Sequence, residues 1–252
     1  MKPLHLLALC LVLANAGAGA QSASLLAPLF GVKPELSPQW RAAGLPDQTL
    51  PRTVFSPDSL DGKGVLRVEA LASYGNLVHT VPPASSAATL WLSWRWRVDQ
   101  FVAGSDLRHK STDDNAVKVC AMFDLPLARV PFAERWRLRV ARGRRAEPLP
   151  AATVCYVWDR LLPAFTALPN AYTRRMRYMV LQGPPLELSQ WRSERRDLTA
   201  DFLRLFGDEA TEIPPLISIL VGADADNTRG HGLAYVADLV LERSLGDGPR
   251  HP

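Results

Sequence analysis

The stretch that decides the fold is Thr-Leu-Trp-Leu-Ser-Trp-Arg-Trp-Arg-Val-Asp, residues 89–99. Large apolar residues occupy every second position from Leu90 to Val98, and polar residues lie between them from Ser93 to Asp99. Because successive side chains of a strand point to opposite faces, this alternation predicts a β-strand with one buried face and one polar face.

Further strand-like runs follow the same pattern, and Gly, Pro and Asp residues separate them. They do not alternate with helices as in a doubly wound α/β fold. Short strands with this punctuation predict a mainly β protein, a single-domain jelly-roll-like antiparallel β-sandwich with one or two peripheral helices. The predicted strands span residues 65–70, 76–81, 89–99, 116–123, 152–158, 175–181, 216–223 and 233–242.

One helix is predicted over Leu198–Phe206, with Asp197 as its N-cap and Gly207 at its end. Its apolar residues recur at helical spacing, which predicts one buried face.

A second helix is predicted from Pro131 to Gly143. The stretch from Arg129 to Arg145 contains seven arginines and one acidic residue. It is either a patch for a polyanion or anionic lipid, or a solvated helix packed through Phe132, Trp136 and Val140. We expect the second.

Composition limits the class of protein. The chain has 252 residues, 47% of them hydrophobic, and a mean hydropathy of −0.04, which excludes a largely disordered, collagen-like or polytopic membrane protein. The net charge of +4 is too weak to indicate a nucleic-acid partner, and no second apolar run is long enough for a transmembrane segment.

The first 20 residues have the features of a secretory signal peptide. Lys2 is followed by the apolar stretch Leu4–Leu13, and Ala18-Gly19-Ala20 predicts cleavage after Ala20. We therefore expect a periplasmic or secreted protein with an extended segment at 21–50, a β-sandwich domain at 51–243 and a disordered tail at 244–252.

Two cysteines follow the signal peptide, Cys120 and Cys155, and both lie in apolar strand-like runs. An oxidising compartment permits a disulfide between them if their strands are neighbours. Two buried free thiols would suit the same pattern, so the sequence leaves both alternatives open.

Common catalytic motifs are absent from the sequence. It has no dinucleotide-binding or phosphate-binding glycine loop, no G-x-S-x-G, no C-x-x-C and no H-E-x-x-H. The histidines lack zinc-binding spacing. Nucleotide, hydride and zinc chemistries therefore have little support.

The polar face of residues 89–99 is a candidate binding site. Arg95 and Arg97 point to one side, and Lys118 would join them if residues 116–123 paired with this strand. Arginine forks suit carboxylate, sulfate or phosphate groups. The alternative is internal pairing of the arginines with Asp99, Asp124 or Asp238.

Two acidic loops are further candidates. The loop at 106–115 contains Lys110, Asp113, Asp114 and Asn115, whose oxygens suit either Ca²⁺ or Asx-turns.

The second loop contains Asp224, Asp226 and Asn227, which resemble the start of a calcium loop. Arg229 and Tyr235 stand where an EF-hand needs Gly and Glu. A calcium site of another type and an Asx-stabilised loop remain as alternatives.

The order of motifs resembles the exported bacterial proteins of the domain-of-unknown-function family numbered 3047. The motifs are WRWRVD, a loop ending K-x-x-DD, a strand ending FD, YVW, W-x-x-E-x-RD-x-x-x-D and DADNT before AYVADL. The resemblance covers about residues 55–242 and implies export and a β-sandwich, but no reaction. Lys118 stands where we expect Arg in relatives. The residues that match the shared polar positions are Arg95, Arg97, Lys110, Asp113, Asp114, Arg196, Asp197, Asp201, Asp224, Asp226, Asn227, Thr228 and Asp238.

These observations favour a glycan-binding module whose partner is an envelope glycan or another polyanion. One alternative is a glycan hydrolase or lyase that uses loop carboxylates, with candidates Asp113, Asp114, Asp124, Asp224 and Asp238. The other is a non-catalytic structural envelope protein. The predicted ligand-binding residues are Arg95, Arg97, Lys110, Asp113, Asp114, Lys118 and Asp238, and those predicted for calcium are Asp224, Asp226 and Asn227.

Overall fold

Twelve strands of the described residues form two β-sheets in the computed structural model. The structure describes residues 23–31, 35–45, 47–82, 89–142 and 150–244. The predicted signal peptide and residues 245–252 of the predicted tail lie outside the described residues.

The two sheets differ in size. The order of the seven-stranded sheet is β1 (Trp40–Ala43), β4 (Tyr74–Thr80), β11 (Leu216–Asp224), β6 (Asn115–Phe123), β7 (Ala152–Trp158), β9 (Met176–Gln182) and β8 (Ala167–Pro169). The order of the five-stranded sheet is β10 (Arg192–Asp197), β5 (Thr89–Gln100), β12 (His231–Ser244), β3 (Lys63–Leu71) and β2 (Val54–Leu60).

The core lies between the inner faces of the sheets. Along β5 the apolar positions are buried and the positions between them are partly exposed, as the alternation predicts. Trp94 of the small sheet meets Tyr156 of the large sheet with 5.3 Å between ring centroids. This arrangement confirms the predicted mainly β sandwich.

Two helices accompany the sheets: α1 (Phe132–Arg142) and α2 (Leu198–Phe206). The carboxylate of Asp197 accepts hydrogen bonds from the backbone N–H groups of Thr199 and Ala200, so the predicted N-cap is confirmed. Helix α2 packs on the core through Phe202, whose ring lies 4.8 Å from that of Phe123. None of the helices in the described part of the chain is long and apolar enough to cross a membrane.

Four strands lie outside the predicted runs. Strand β1 pairs with β4 within the segment expected to be only extended, and Leu26, Leu29 and Trp40 of that segment are buried. The strands β2, β8 and β10 lie at sheet edges. The sheets are also not wholly antiparallel, because β7 and β9 run parallel.

The free edges of both sheets are interrupted. β1 has four residues and β8 three, and β8 ends at Pro169. β2 contains Pro57, and β10 has the charged sequence Arg-Ser-Glu-Arg-Arg-Asp.

The two cysteines form a disulfide. Cys120 of β6 and Cys155 of β7 are direct partners across the antiparallel pair, with 4.1 Å between their Cα atoms. The bond lies on the outer side of the large sheet, in a buried apolar cluster that includes Leu107 and Tyr178. The structure therefore decides the alternative that the sequence leaves open.

Candidate functional site

The outer face of the five-stranded sheet is the candidate site. We call it the arginine face and define it by Trp91, Arg95 and Arg97 of β5, Arg195 of β10, Tyr235 of β12, and Trp191, which precedes β10. β5 lies between β10 and β12, so its outward side chains stand in the middle of the sheet. Those of Arg95 and Arg97 are 26% and 20% exposed.

Three guanidinium groups of the arginine face lie over aromatic rings. Arg195 lies 3.9 Å from the ring centroid of Trp91, and Arg95 lies 4.9 Å from that of Trp191. Arg97 lies 6.0 Å from the ring of Tyr235, its cross-strand partner. Stacking limits the movement of a planar guanidinium and leaves its edge free to donate hydrogen bonds.

Carboxylates fix two of these arginines. The Arg95 Nε donates to Asp238 at 2.6 Å. Arg97 donates to both oxygens of Asp99, at 2.6 and 3.0 Å, and these bonds raise its pKa. The expected internal pairing with Asp99 and Asp238 is therefore present, and both arginine side chains stay partly exposed.

Lys118 does not join the arginine face, which corrects the predicted grouping. β6 belongs to the other sheet, between β11 and β7, so Lys118 points away from Arg95 and Arg97. Alternation shows which residues of one strand share a face, but it does not show which sheet the strand joins.

Lys118 instead forms a buried ion pair. It is 2% exposed, and its Nζ donates to Asp224 Oδ2 at 2.6 Å. Burial alone would lower the pKa of Lys118, but the charge of Asp224 outweighs it and raises the pKa above its usual value. Gly222 makes room for this side chain, because a Cβ there would lie 3.0 Å from Lys118 Cε and 2.3 Å from Asn76 Oδ1.

Asp113 lies beside this pair and is also buried. It accepts hydrogen bonds from the Tyr178 hydroxyl at 3.1 Å and from the amide of Asn170. Burial and the negative charge of Asp224 raise the pKa of Asp113 to about 6.

Asp114 holds the two acidic loops together. Its carboxylate accepts hydrogen bonds from the backbone N–H groups of Asn227 and Thr228 and from both of their side chains. Lys110 lies at the edge of this region, 5.5 Å from the ring of Tyr172. In the structure, Lys110, Asp113 and Asp114 therefore lie near one another, but not near Arg95.

Most of the oxygens predicted to bind calcium have protein donors instead. Asp224 accepts from Lys118 and from the N–H of Asn115, and the side-chain oxygen of Asn227 accepts from the Tyr172 hydroxyl. Asp226 keeps one buried carboxylate oxygen without a partner. In the part of the chain that the structure describes, no group of three His, Cys, Asp or Glu side chains is arranged to hold a metal ion.

Arg196 and Asp201, which match shared polar positions of the family that the motifs resemble, lie inside the sandwich. Arg196 donates to both oxygens of Asp201, and the buried Tyr156 hydroxyl donates to the same carboxylate at 2.8 Å. Asp201 thereby ties α2 to β10 and β7, which is a structural role.

Sequence reasoning missed the contributions of Trp91 and Arg195 to the arginine face. Trp91 has the same parity in its strand as Arg95 and Arg97, so alternation alone could have placed it there. Arg195 lies in the charged edge strand β10, which gives no apolar signal.

The comparison with family models covers most of the chain. Residues 38–240 match the family described as "Protein of unknown function (DUF3047)". The chain belongs to this family. The DUF3047 match includes β1 and extends almost to the end of β12, and it confirms the resemblance seen in the motifs. Among curated proteins, no match was found.

The solved structures that match this chain do so with low TM-scores and low sequence identity. The family 11 carbohydrate-binding module of the cellulase Lic26A-Cel5E of Clostridium thermocellum has a TM-score of 0.41 and 10% identity, covering 92% of this chain and 100% of its own. Endoglucanase 3 of Trichoderma harzianum, from family GH12, has a TM-score of 0.40 and 11% identity, covering 83% and 100%. The xyloglucanase domain of NopAA, a type three effector from Sinorhizobium fredii, has a TM-score of 0.39 and 8% identity, covering 81% and 99%. At these values, none identifies a ligand or a reaction for this DUF3047 protein.

Proposed function

We propose that this protein is an exported glycan-binding module that binds an envelope glycan carrying anionic groups on its arginine face. The observation that carries the proposal is the row of three arginines along β5 and its neighbours whose guanidinium groups lie over aromatic rings. Arginine forks recognise carboxylate, sulfate or phosphate groups, and aromatic rings offer flat apolar surface to sugar rings.

The ion pairs of the arginine face support a preorganised binding site. Asp99 and Asp238 orient Arg97 and Arg95, so little side-chain entropy remains to be lost on binding. The Asp238 side chain is 66% exposed, and its carboxylate can accept hydrogen bonds from sugar hydroxyls.

Export has two supports. The first 20 residues have the pattern of a signal peptide. The Cys120–Cys155 disulfide suits a protein that matures in an oxidising compartment.

Burial argues against hydrolysis for three of the five candidate carboxylates. A glycoside hydrolase needs two carboxyl groups that can reach the glycosidic bond. Asp113, Asp114 and Asp224 are each at most 5% exposed, and their oxygens accept hydrogen bonds within the protein. We therefore assign them to holding the loops.

The test is a thermal-shift screen of residues 21–252 against acidic and neutral envelope glycans, each with calcium and with chelator. A ligand at 100 times its Kd adds about 2.7 kcal/mol, a shift of roughly 5–10 °C for a domain of this size. We expect an acidic glycan to give the largest shift, without a requirement for calcium.

Arg95→Ala tests the site itself. We expect at least a tenfold loss of affinity in calorimetry, while the Tm changes little, because an ion pair with the exposed Asp238 contributes less than about 1 kcal/mol. The matched control is Arg52→Ala, which removes an exposed arginine outside this face. If no glycan raises the Tm, or if both variants bind alike, the proposal is wrong; equal losses of stability and binding would support the structural envelope protein.

A further inference from the structure

Helix α1 has an apolar stripe that faces solvent. Phe132, Trp136 and Val140 are spaced four residues apart, so they lie along one side of the helix. They are 80%, 61% and 37% exposed. This overturns the expectation that the helix packs on the protein through these three residues. We call this stripe the aromatic stripe.

Other residues attach α1 to the protein. Leu138 is buried in the core, and Glu134 accepts a hydrogen bond from Arg175 of the segment before β9 at 2.5 Å. These contacts leave the aromatic stripe as the outward side of the helix.

The surroundings of the aromatic stripe are basic. Arg129 and Arg139 are exposed, and neither has a carboxylate partner within the described ranges. Arg135 donates to the carbonyls of Ala128 and Val130, which ties the first helical turn to the preceding segment. The one acidic residue of α1, Glu134, is already bonded to Arg175.

This combination distinguishes between two classes of polyanion. A soluble anionic polymer without apolar surface would engage the arginines and leave Phe132 and Trp136 in water. At the surface of a bilayer, apolar side chains lie between the headgroups while arginines lie close to lipid phosphates. Tryptophan is also enriched at that depth.

We propose that α1 binds the surface of a bilayer that contains anionic lipids, through the aromatic stripe together with Arg129 and Arg139. The helix lies along the membrane plane and does not cross it. The inference is independent of the glycan proposal, because it uses none of the residues of the arginine face.

The test is co-sedimentation of residues 21–252 with large vesicles of phosphatidylcholine, with and without 30% phosphatidylglycerol. We expect binding to the anionic vesicles, with an affinity that falls as salt rises. Arg129→Gln with Arg139→Gln should weaken it roughly 30-fold, since each basic residue contributes about 1 kcal/mol near an anionic surface. The control is Arg52→Gln with Arg229→Gln, which removes the same number of positive charges from exposed positions outside α1.

The aromatic stripe is tested by Phe132→Ser with Trp136→Ser. Both side chains are mostly exposed, so the variant should fold, and we expect at least a tenfold loss of vesicle affinity. Phe165→Ser is the matched control, because Phe165 is 59% exposed outside α1. The proposal is overturned if the full chain does not sediment with anionic vesicles, or if the serine variant binds them as tightly as the unchanged chain does.

Discussion

At the scale of single residues, Asp113 combines burial with a raised pKa. Its pKa is about 6 in the folded protein against an ordinary value of 3.8. The folded state thus keeps this proton to a higher pH than the unfolded chain does. The contribution of Asp113 to the free energy of unfolding therefore falls as the pH rises from about 4 through 6.

We predict that Asp113→Asn stabilises the protein at pH 8, by on the order of 2–3 kcal/mol. An asparagine can accept from Asn170 and donate to the Tyr178 hydroxyl, as a protonated carboxyl would, so the hydrogen bond from the Tyr178 hydroxyl is reversed and the other is kept. The gain should shrink towards zero near pH 4, which urea denaturation across this pH range would measure. A gain that does not vary with pH would contradict this, and Asp61→Asn in an exposed turn is the control.

Lys118 supplies a second residue-scale prediction. Lys118→Met keeps most of the side-chain volume but leaves the carboxylate of Asp224 buried without its cation. We expect a loss of about 3–5 kcal/mol in the free energy of unfolding at pH 7.

The double variant Lys118→Met with Asp224→Asn separates charge from packing. Its asparagine carries no charge and can still accept from the N–H of Asn115. We expect the double variant to recover more than half of the loss in the same denaturation experiment. If it is as unstable as Lys118→Met alone, then packing and not the unpaired charge sets the cost.

At the scale of elements, the disulfide joins two neighbouring strands on the outer side of the large sheet. Cys120 and Cys155 are 35 residues apart in the chain. Closing a loop of this length stabilises a protein by about 4 kcal/mol in the chain-entropy model. We predict a loss of this size for Cys120→Ala with Cys155→Ala, measured by chemical denaturation. Adding a reductant should destabilise the unchanged protein and leave the variant unaffected; equal stability of the two proteins would refute the prediction.

The sequence predicts elements best where packing imposes a period. β5 and α2 match their predictions because each buries one continuous side, and Asp197 marks the start of the helix. β10 has no such period, because an edge strand with six polar residues gains its backbone hydrogen bonds from β5 alone. Pro57 similarly prevents the prediction of β2 from sequence, since proline is rare inside strands but is tolerated at an edge.

The candidate site is less predictable than the elements. Arg95, Arg97, Asp99 and Asp238 do come together, because three of them lie on one strand and the fourth lies on its neighbour. Lys118 does not, because sheet membership depends on pairing between distant segments. Sequence also could not show that the apolar residues of α1 face outwards, since a helical period is the same whether the stripe meets the protein or another surface.

At the scale of the whole molecule, the arginine face and the aromatic stripe belong to different elements and share no residues. Changes at distant sites without shared partners add independently. We predict that Arg95→Ala leaves vesicle binding unchanged and that Trp136→Ser leaves glycan affinity unchanged. The check is to measure both affinities for each single variant and for the double variant. Any loss in the double variant beyond the sum of the two single losses would show that the sites are coupled.

The interrupted sheet edges have a consequence for behaviour at high concentration. A long, regular edge strand can recruit the edge of another molecule and start an ordered aggregate. In this protein, β1 and β8 are too short to provide a lasting template, Pro57 removes a donor from β2, and the charged side chains of β10 would lose water if the strand paired with a second copy. The folded protein can therefore remain dispersed at high concentration without a chaperone to shield its strands.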